Sequence, residues 1–433
     1  MSIRNNWPQA PDGFAYGYIE TPEERQELLE LNKSIHNDND AFMLERLIKH
    51  YPRFGLENNF YLRDLNSGEM VACLNAIPNT WSYEGIEIRN LELGFVGTRE
   101  DYRGRGLFDA LYKLFNIEFH AGEYDISSIQ GIPFFYRKYG YDFMLPLNRR
   151  VSIRPDQLPF EQKDFENEEA YTIRLAKNSD LDSLIQLYQE TTAKLMIAAQ
   201  RSKELWSIQE NTRMHENERF HTKIIERDGE VCGYFRKIMS KQRNEANNKK
   251  TLTVFETAAR GHDCTLAMLQ YLQEISLKNK VQEIHLPGTT ALHPSKLALS
   301  LGGKMTRGWK YQIRIPDPAR FLWRVRQALE ERLVGSPYQS LSLDIEVNTY
   351  LELHRLIFRD GKLVKIETHQ KPVIGQKGAL RAPPSKFARL LLGAYGLHEL
   401  REFDADFIVE EKHEDLLQIL FPKRESYLFH YLC

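Results

Sequence analysis

The chain has 433 residues, 42% hydrophobic and 27% charged, which is ordinary globular composition with room for about three domains of roughly 150 residues. Its 58 Lys+Arg against 60 Asp+Glu leave a formal charge of -2, so no charge excess argues for nucleic acid or an anionic membrane as the main partner. Cys73, Cys232, Cys264 and Cys433 are far apart in sequence, with no CxxC and no His at ligand spacing, which argues against a disulfide framework or a metal site and for a reducing cytosol.

The opening MSIRNNWPQAPDG has no apolar run, and the most apolar stretch, FARLLLGAYGL, is too short to span a bilayer, so a cytoplasmic location away from membranes is expected. After a strand-like FAYGYIE, Thr21-Pro22-Glu23-Glu24 spells a capping box with Pro at the first helical position, and a helix through Leu28, Leu29 and Leu31 follows. FYLRDLNSGEMVACL then predicts a hairpin turning at Ser67-Gly68, and NLELGFVGT a further apolar strand. A helix, the strand YDISSIQG and a short helix ending near Gly140 complete the first stretch.

The same order returns later in the chain. YTIRLA is followed by the polar cap Asn178-Ser179-Asp180 and a helix through Leu181, Leu184, Ile185 and Tyr188. TKIIERDGEVCGYF turns at Asp228-Gly229, and TLTVFETAA, a helix, VQEIHLPG and a short helix ending near Gly302-Gly303 follow. Both copies read β-α-β-β-β-α-β-α-β. Residues 155–170, polar, acidic and proline-bearing, read as a linker between a unit of 1–154 and a second of 171–315. Pro316-Asp317-Pro318 opens a third, 316–433, with a helix from Arg320 to Leu333, a hairpin turning at Asp360-Gly361 and a helix carrying Phe387, Leu390, Leu391 and Leu392. The predicted class is α/β with mixed sheets, two related units followed by an α+β unit.

The segment that carries chemistry is Val96-Gly97-Thr98-Arg99-Glu100-Asp101-Tyr102-Arg103-Gly104-Arg105-Gly106-Leu107-Phe108, between a strand and a helix. Two glycines allow a tight turn in which successive N–H groups converge, and the helix that follows adds its positive end, an arrangement suited to pyrophosphate. Arg103 and Arg105 flank the loop with guanidinium groups that pair with phosphate oxygens. Leu107, Ala110, Leu111, Leu114, Phe115 and Phe119 give that helix one apolar face.

Strand, RGxG loop, apolar helix, strand and then Phe135-Tyr136-Arg137-Lys138-Tyr139-Gly140-Tyr141 resemble the GNAT acetyltransferases, whose signature is R/Q-x-x-G-x-G/A followed by an FYxxxGF-like turn. Phe108 stands where that pattern has a small residue. The whole plan, two GNAT-fold units in tandem and a C-terminal unit like a sterol carrier protein, is similar to the Eis-like (enhanced intracellular survival) N-acetyltransferases of aminoglycosides and lysine. The resemblance implies acetyl-CoA as co-substrate and no metal. The main chain of Val96, Gly97 and Thr98 would hold its pantetheine arm, the amides of Gly104, Arg105, Gly106, Leu107, Phe108 and Asp109 its pyrophosphate, and Tyr136 and Arg137 would approach its thiol end. It also implies a homohexamer.

Acetyl transfer needs a proton donor for the departing thiolate and a base for the amine, and a tyrosine suits the first at neutral pH. Tyr141 is the expected donor. For the base, Glu92 on the strand before the loop competes with the α-carboxylate of Cys433, which the Eis-like resemblance suggests. The apolar tail Tyr427, Leu428, Phe429, Tyr431, Leu432, Cys433 fits a docked rather than a frayed end. The second copy reads Thr257-Ala258-Ala259-Arg260-Gly261-His262-Asp263, with no second glycine, so no cofactor is expected there. The expected reaction is N-acetylation of a primary amine, an aminoglycoside, a lysine side chain or a polyamine. Alternatives are a non-catalytic acyl-CoA or lipid carrier and a tandem-GNAT aminoacyl transferase.

Overall fold

The computed structural model describes residues 7–160, 171–212, 221–239, 250–370 and 378–428. The chain begins β1 (Phe14–Tyr18), α1 (Pro22–Ile35), α2 (Asp38–His50), β2 (Asn59–Asp64), β3 (Met70–Tyr83), β4 (Ile86–Thr98), α3 (Leu107–Ala121), β5 (Ile126–Ile129), β6 (Asp142–Leu147) and β7 (Arg150–Ile153). It continues β8 (Thr172–Leu175), α4 (Leu181–Thr192), β9 (Ile197–Gln200), α5 (Lys203–Asn211), β10 (His221–Arg227), β11 (Glu230–Met239), β12 (Thr251–Ala259), α6 (Gly261–Lys278), β13 (Glu283–Pro287), α7 (His293–Ser300), β14 (Lys304–Met305) and β15 (Trp309–Arg314). The last stretch is α8 (Pro318–Arg324), α9 (Arg326–Leu333), β16 (Leu343–Asn348), β17 (Glu352–Arg359), β18 (Lys362–Gln370), β19 (Leu380–Arg381), α10 (Pro384–Leu391), α11 (Leu397–Phe403), β20 (Ile408–Val409) and α12 (Glu414–Leu420).

The local signals act where they are written. Thr21 Oγ1 accepts from Glu24 N while the Glu24 carboxylate returns to Thr21 N, closing the capping box of α1. The hairpins turn at Ser67-Gly68, Asp228-Gly229 and Asp360-Gly361. The helix expected from Arg320 to Leu333 is two, α8 and α9, meeting at Val325.

The described strands form three sheets. The first runs β1-β2-β3-β4-β5-β15-β6, with β9 added to β3; the second runs β14-β7-β13-β12-β11-β10-β8; the third runs β18-β17-β16-β19-β20. Alternation along β3 beyond the bulge at Val71 sends Leu74 and Ala76 to the face covered by α3, and Cys73 and Ile77 to the face covered by α1 and α2. Both faces are therefore buried, as a sheet with a parallel pair at its centre requires.

Two strands lie on the far side of the expected boundaries. Residues 150–153, before the expected linker, pair with β13 and β14 of the second sheet, while Trp309–Arg314, at the end of the second unit, inserts between β5 and β6 of the first. β5 and β6 do not pair with each other, and β15 satisfies the facing backbone edges of both. Residues 155–158 are not a solvated linker: Leu158 is buried in the second core and Gln273 Nε2 donates to the carbonyls of Pro155 and Leu158. The remainder of that segment, 161–170, lies outside the described residues.

The third unit is joined to the first through shared core. The tip of the long β3–β4 hairpin puts Trp81, Tyr83 and Ile88 in one cluster with Phe321, Phe387, Leu391 and Leu420. Tyr83 Oη donates to Leu391 O at 2.9 Å, and Glu84 pairs with Arg332 at 3.0 Å and also with Arg424. Near β6, Arg389 of α10 holds Asp142 at 2.8 Å, both side chains mostly buried at 15% and 8% exposure. Arg389→Met would leave that carboxylate poorly compensated, and the expected loss is about 3 kcal/mol of unfolding free energy, with less for Arg389→Lys. Urea midpoints of the three proteins check this.

Candidate active site

The site begins where two strands part. β4 pairs with β5 in parallel only at Asn90–Ile126, Leu91–Ser127 and Glu92–Ser128, while on its other side it stays with β3 through Thr98. Between Asn75–Gly94 and Cys73–Gly97 the register slips, so Phe95 and Val96 face the single residue Leu74, and Phe95 takes φ 41. This bulge twists β4 away from β5. Past Glu92 the edge of β4 facing β5 has no strand partner among the described residues.

A cleft of 490 Å³ occupies the gap. Glu92 to Val96 form one side, Ile129 to Ile132 the other, His36, Asn39, Asp40 and Met43 the roof, and Tyr136, Leu147 and Asn148 close the far side. Its described wall holds the carboxylates of Asp40 and Glu92 and the imidazole of His36, with no Lys or Arg. Such a wall favours a cationic ligand.

Glu92, 3% exposed, is fixed at the fork. Asn79 Nδ2 donates to its Oε2 at 3.3 Å and Gln130 Nε2 to its Oε1 at 3.2 Å, while Tyr51 Oη donates to Asn79 Oδ1 at 2.8 Å. Burial, reinforced by the Glu92 carboxylate, pushes the Tyr51 hydroxyl far up, so it stays protonated and keeps the proton it donates to Asn79.

The expected phosphate cradle lies beyond the free edge. Gly104 and Gly106 take φ 78 and 74, and nothing lies within 4 Å of where a side chain would project from either. The N–H groups of Gly104, Arg105, Gly106, Leu107, Phe108 and Asp109 meet no acceptor among the described residues, and α3 has no side-chain cap. Open space at both glycines, main-chain donors that meet no acceptor among the described residues and a helix of 15 residues behind them fit a diphosphate. Arg103 is exposed at the rim, 3.7 Å from Glu100, and Arg105 lies over the Tyr102 ring at 4.7 Å. Val96, Gly97 and Thr98 connect cleft and cradle along β4, with Gly97 pressed against Ile35 so closely that a Cβ would sit 2.7 Å from its Cδ1.

Phe108 does not disturb the helix start. Its ring is half-buried and stacks on Tyr112, with Phe135, Tyr136 and Tyr139 edge-on around it, so aromatic side chains of the following turn fill the space. Tyr139 Oη also donates to the Asp109 carboxylate, tying turn to cradle.

The turn places its tyrosines differently from the sequence reading. Tyr141, expected as the proton donor, is 1% exposed and outside the cleft wall. Its hydroxyl donates to Ser127 Oγ at 2.7 Å, since that hydroxyl already donates to Leu91 O at 2.8 Å. Burial, with Tyr112 beside it, pushes it well above the ordinary tyrosine range. Tyr136 is the tyrosine in the wall; its hydroxyl meets no hydrogen-bonding group among the described residues, and burial raises it to about 12. Arg137 points away, toward Asp142 at 3.9 Å. Cys433 lies outside the described residues.

The sequence of the Acetyltransferase (GNAT) domain family matches residues 13–144. Those residues are thus similar to a GNAT acetyltransferase domain. Among curated proteins no sequence match is found. In structure the chain is similar to a GCN5-related N-acetyltransferase from Anabaena variabilis (TM-score 0.72, 16% identity, 96% of this chain and 99% of that one). It is also similar to a conserved protein of Enterococcus faecalis described as a probable N-acyltransferase (TM-score 0.72, 15% identity, 96% and 99%). Eis1 from Mycobacterium abscessus has the same fold at lower similarity (TM-score 0.63, 11% identity, 96% and 99%). The matched region, hereafter the GNAT domain, carries the forked strands and the cradle.

The sequence reading missed Gln312. This β15 residue is fully buried and donates to Gly131 O at 2.8 Å and Ile132 O at 3.2 Å, fixing one lip of the cleft of the GNAT domain. Gln312→Leu is expected to leave those carbonyls unpaired at a cost of about 1–3 kcal/mol. Faster amide exchange over residues 130–136 in the variant would show the lip loosening.

Proposed function

We propose that the protein transfers the acetyl group of acetyl-CoA to a primary amine of a cationic acceptor, within the fork of the GNAT domain. The observation that carries this reading is the parting of β4 from β5 past Glu92. An unpaired strand edge leads from open helix-end amides to a wall holding Asp40, Glu92 and His36 without Lys or Arg.

In this reading Val96, Gly97 and Thr98 bond the amides of the pantetheine arm as an added strand would. The amides of Gly104 to Asp109 take the pyrophosphate, with Arg103 and Arg105 free to swing onto its oxygens. Acetyl-CoA supplies the acyl group as a thioester. Glu92, held by Asn79 and Gln130, accepts the proton of the incoming ammonium directly or through water, leaving the neutral amine to attack. Tyr136 gives its proton to the departing thiolate and Arg137 stays outside the chemistry. Tyr141 braces β5 from behind through Ser127.

The Cys433 carboxylate is the second reading for the base. It is favoured by the course of residues 425–427, where Glu425 O accepts from Met196 N at 2.9 Å and Tyr427 N donates to Ile197 O at 3.0 Å, beside the strand that extends the first sheet.

CoA release with a panel of polyamines, aminoglycosides and lysine peptides tests the proposal. Tyr136→Phe is expected to lower kcat by about 10²–10⁴ with little change in KM for acetyl-CoA, and Tyr141→Phe to retain most activity. Arg103→Ala is expected to raise KM for acetyl-CoA. The reverse tyrosine result returns the donor role to Tyr141. If Glu92→Gln retains turnover and residues appended after Cys433 abolish it, the base is the carboxylate of Cys433. Absence of both turnover and acetyl-CoA binding overturns the enzymatic reading.

A further inference from the structure

Two cysteines that are 32 residues apart in sequence meet in the second unit. Cys232 Sγ lies 3.4 Å from Cys264 Sγ. The backbone brings them together by two devices. On β11 the register against β10 slips, so that Gly233 pairs with Ile225 and Val231 with Glu226, leaving Cys232 as the extra residue of a bulge. Cys264 sits in the first turn of α6, and the neighbouring Gly233 makes room for it: a Cβ there would stand 2.6 Å from Cys264 Sγ. The backbone ties the same point together, Arg260 N donating to Cys232 O at 2.8 Å.

The two thiols differ in character. Cys264 is 1% exposed, whereas Cys232 is half-buried and within reach of small solutes. The hydrogen-bonding contact with Cys264 lowers the Cys232 thiol, the positive charges of Arg260 and Arg227 act in the same direction, and Cys232 is the lower of the two in pKa. Cys264 is held well above the usual thiol range by that same neighbour and by burial. An accessible, activated thiol beside a sheltered partner is the arrangement of an attacking and a resolving cysteine.

We propose that Cys232 and Cys264 are a site of oxidative modification at which a hydroperoxide converts the pair to a reversible disulfide. Cys232 Sγ attacks the terminal peroxide oxygen, an S–O bond forms, the O–O bond breaks, and the alcohol or water leaves. Cys264 then loses its proton and its sulfur attacks Cys232 Sγ, an S–S bond forms, the S–O bond breaks, and water leaves. Two thiols and one hydroperoxide give one disulfide, one alcohol or water and one further water. An S–S bond is about 2.0 Å, so the sulfurs must approach by roughly 1.4 Å. A bulge and the first turn of a helix absorb such a shift more easily than paired strand interiors do. The product would tie β11 to the start of α6.

Cys73 is the internal comparison. It is 1% exposed beneath the bulge of β4, and burial pushes its thiol up to about 12, so it is expected to stay reduced.

The test is titration of the full chain with hydrogen peroxide, alkylation of remaining thiols and peptide mapping without reductant. The expected result is a crosslinked pair of peptides carrying Cys232 and Cys264, with both thiols lost together and both restored by dithiothreitol. Cys264→Ser should leave Cys232 trappable as a sulfenic acid by dimedone, and Cys232→Ser should leave Cys264 reduced. If wild-type Cys232 passes to sulfinic acid without the crosslink, if it links instead to Cys433, or if both thiols survive peroxide that modifies Cys433, the proposal is overturned. These outcomes are read on the wild-type chain and do not depend on acetyl transfer.

Discussion

A strand can bond two neighbours only while all three keep one direction. β4 does so as far as Glu92, then the bulge at Phe95 keeps it with β3 and carries it away from β5. Everything proposed for the site follows from that choice. The parting opens the cleft, leaves a row of main-chain groups without a strand partner, and aims the chain so that the next turn, at Gly104 and Gly106, can present helix-end amides beyond the opening. Glu92 occupies the last paired position, which is why a carboxylate can be so deeply buried and still border the cavity. Its amide partners come from β3 and from the residue after β5, so they hold both arms of the fork at once.

The fork is kept open from outside the GNAT domain. β15 lies against β5, and its Gln312 grips the carbonyls at the lip. The β3–β4 hairpin that forms the other arm is anchored at its tip, where Arg332 and Arg424 converge on Glu84 and Tyr83 reaches the end of α10. The turn bearing Tyr136 is tied at its C-terminal end both to α3, through Tyr139 and Asp109, and to α10, through Asp142 and Arg389. The third unit therefore braces the geometry of the first, whatever else it does.

Local features were legible because their causes are local. Three hairpin turns, the capping box at Thr21, the apolar face of α3 and the glycine-rich loop are each specified within a few residues. Pairing of distant segments is not specified in this way. β7 (RVSI) and β15 (WKYQIR) are short strands of mixed composition that would suit either sheet; the gap between β5 and β6 takes β15, and the edges of β13 and β14 take β7. Tyr136 and Tyr141 share one motif, and which faces the cleft is set by the single helical turn between them and by Gly140 with φ 85. Phe108 read as a misfit because the rings that accommodate it come from another part of the chain. Cys232 and Cys264 carry no spacing signal, since a bulge and a helix start bring them together.

The inserted strand also bears on how the protein is made. Gln312 reaches the Gly131 carbonyl across 181 residues of chain. While the ribosome is still adding that interval, β5 and β6 have open facing edges and the lip of the cleft has nothing to hold it, so the domain written first is among the last to be finished. Contacts of such separation form slowly, and unpaired strand edges invite partners from other chains. Nascent chains stalled before Trp309 should therefore need shielding of that gap, and a complete cleft arises only once the second unit has emerged and handed back its strand.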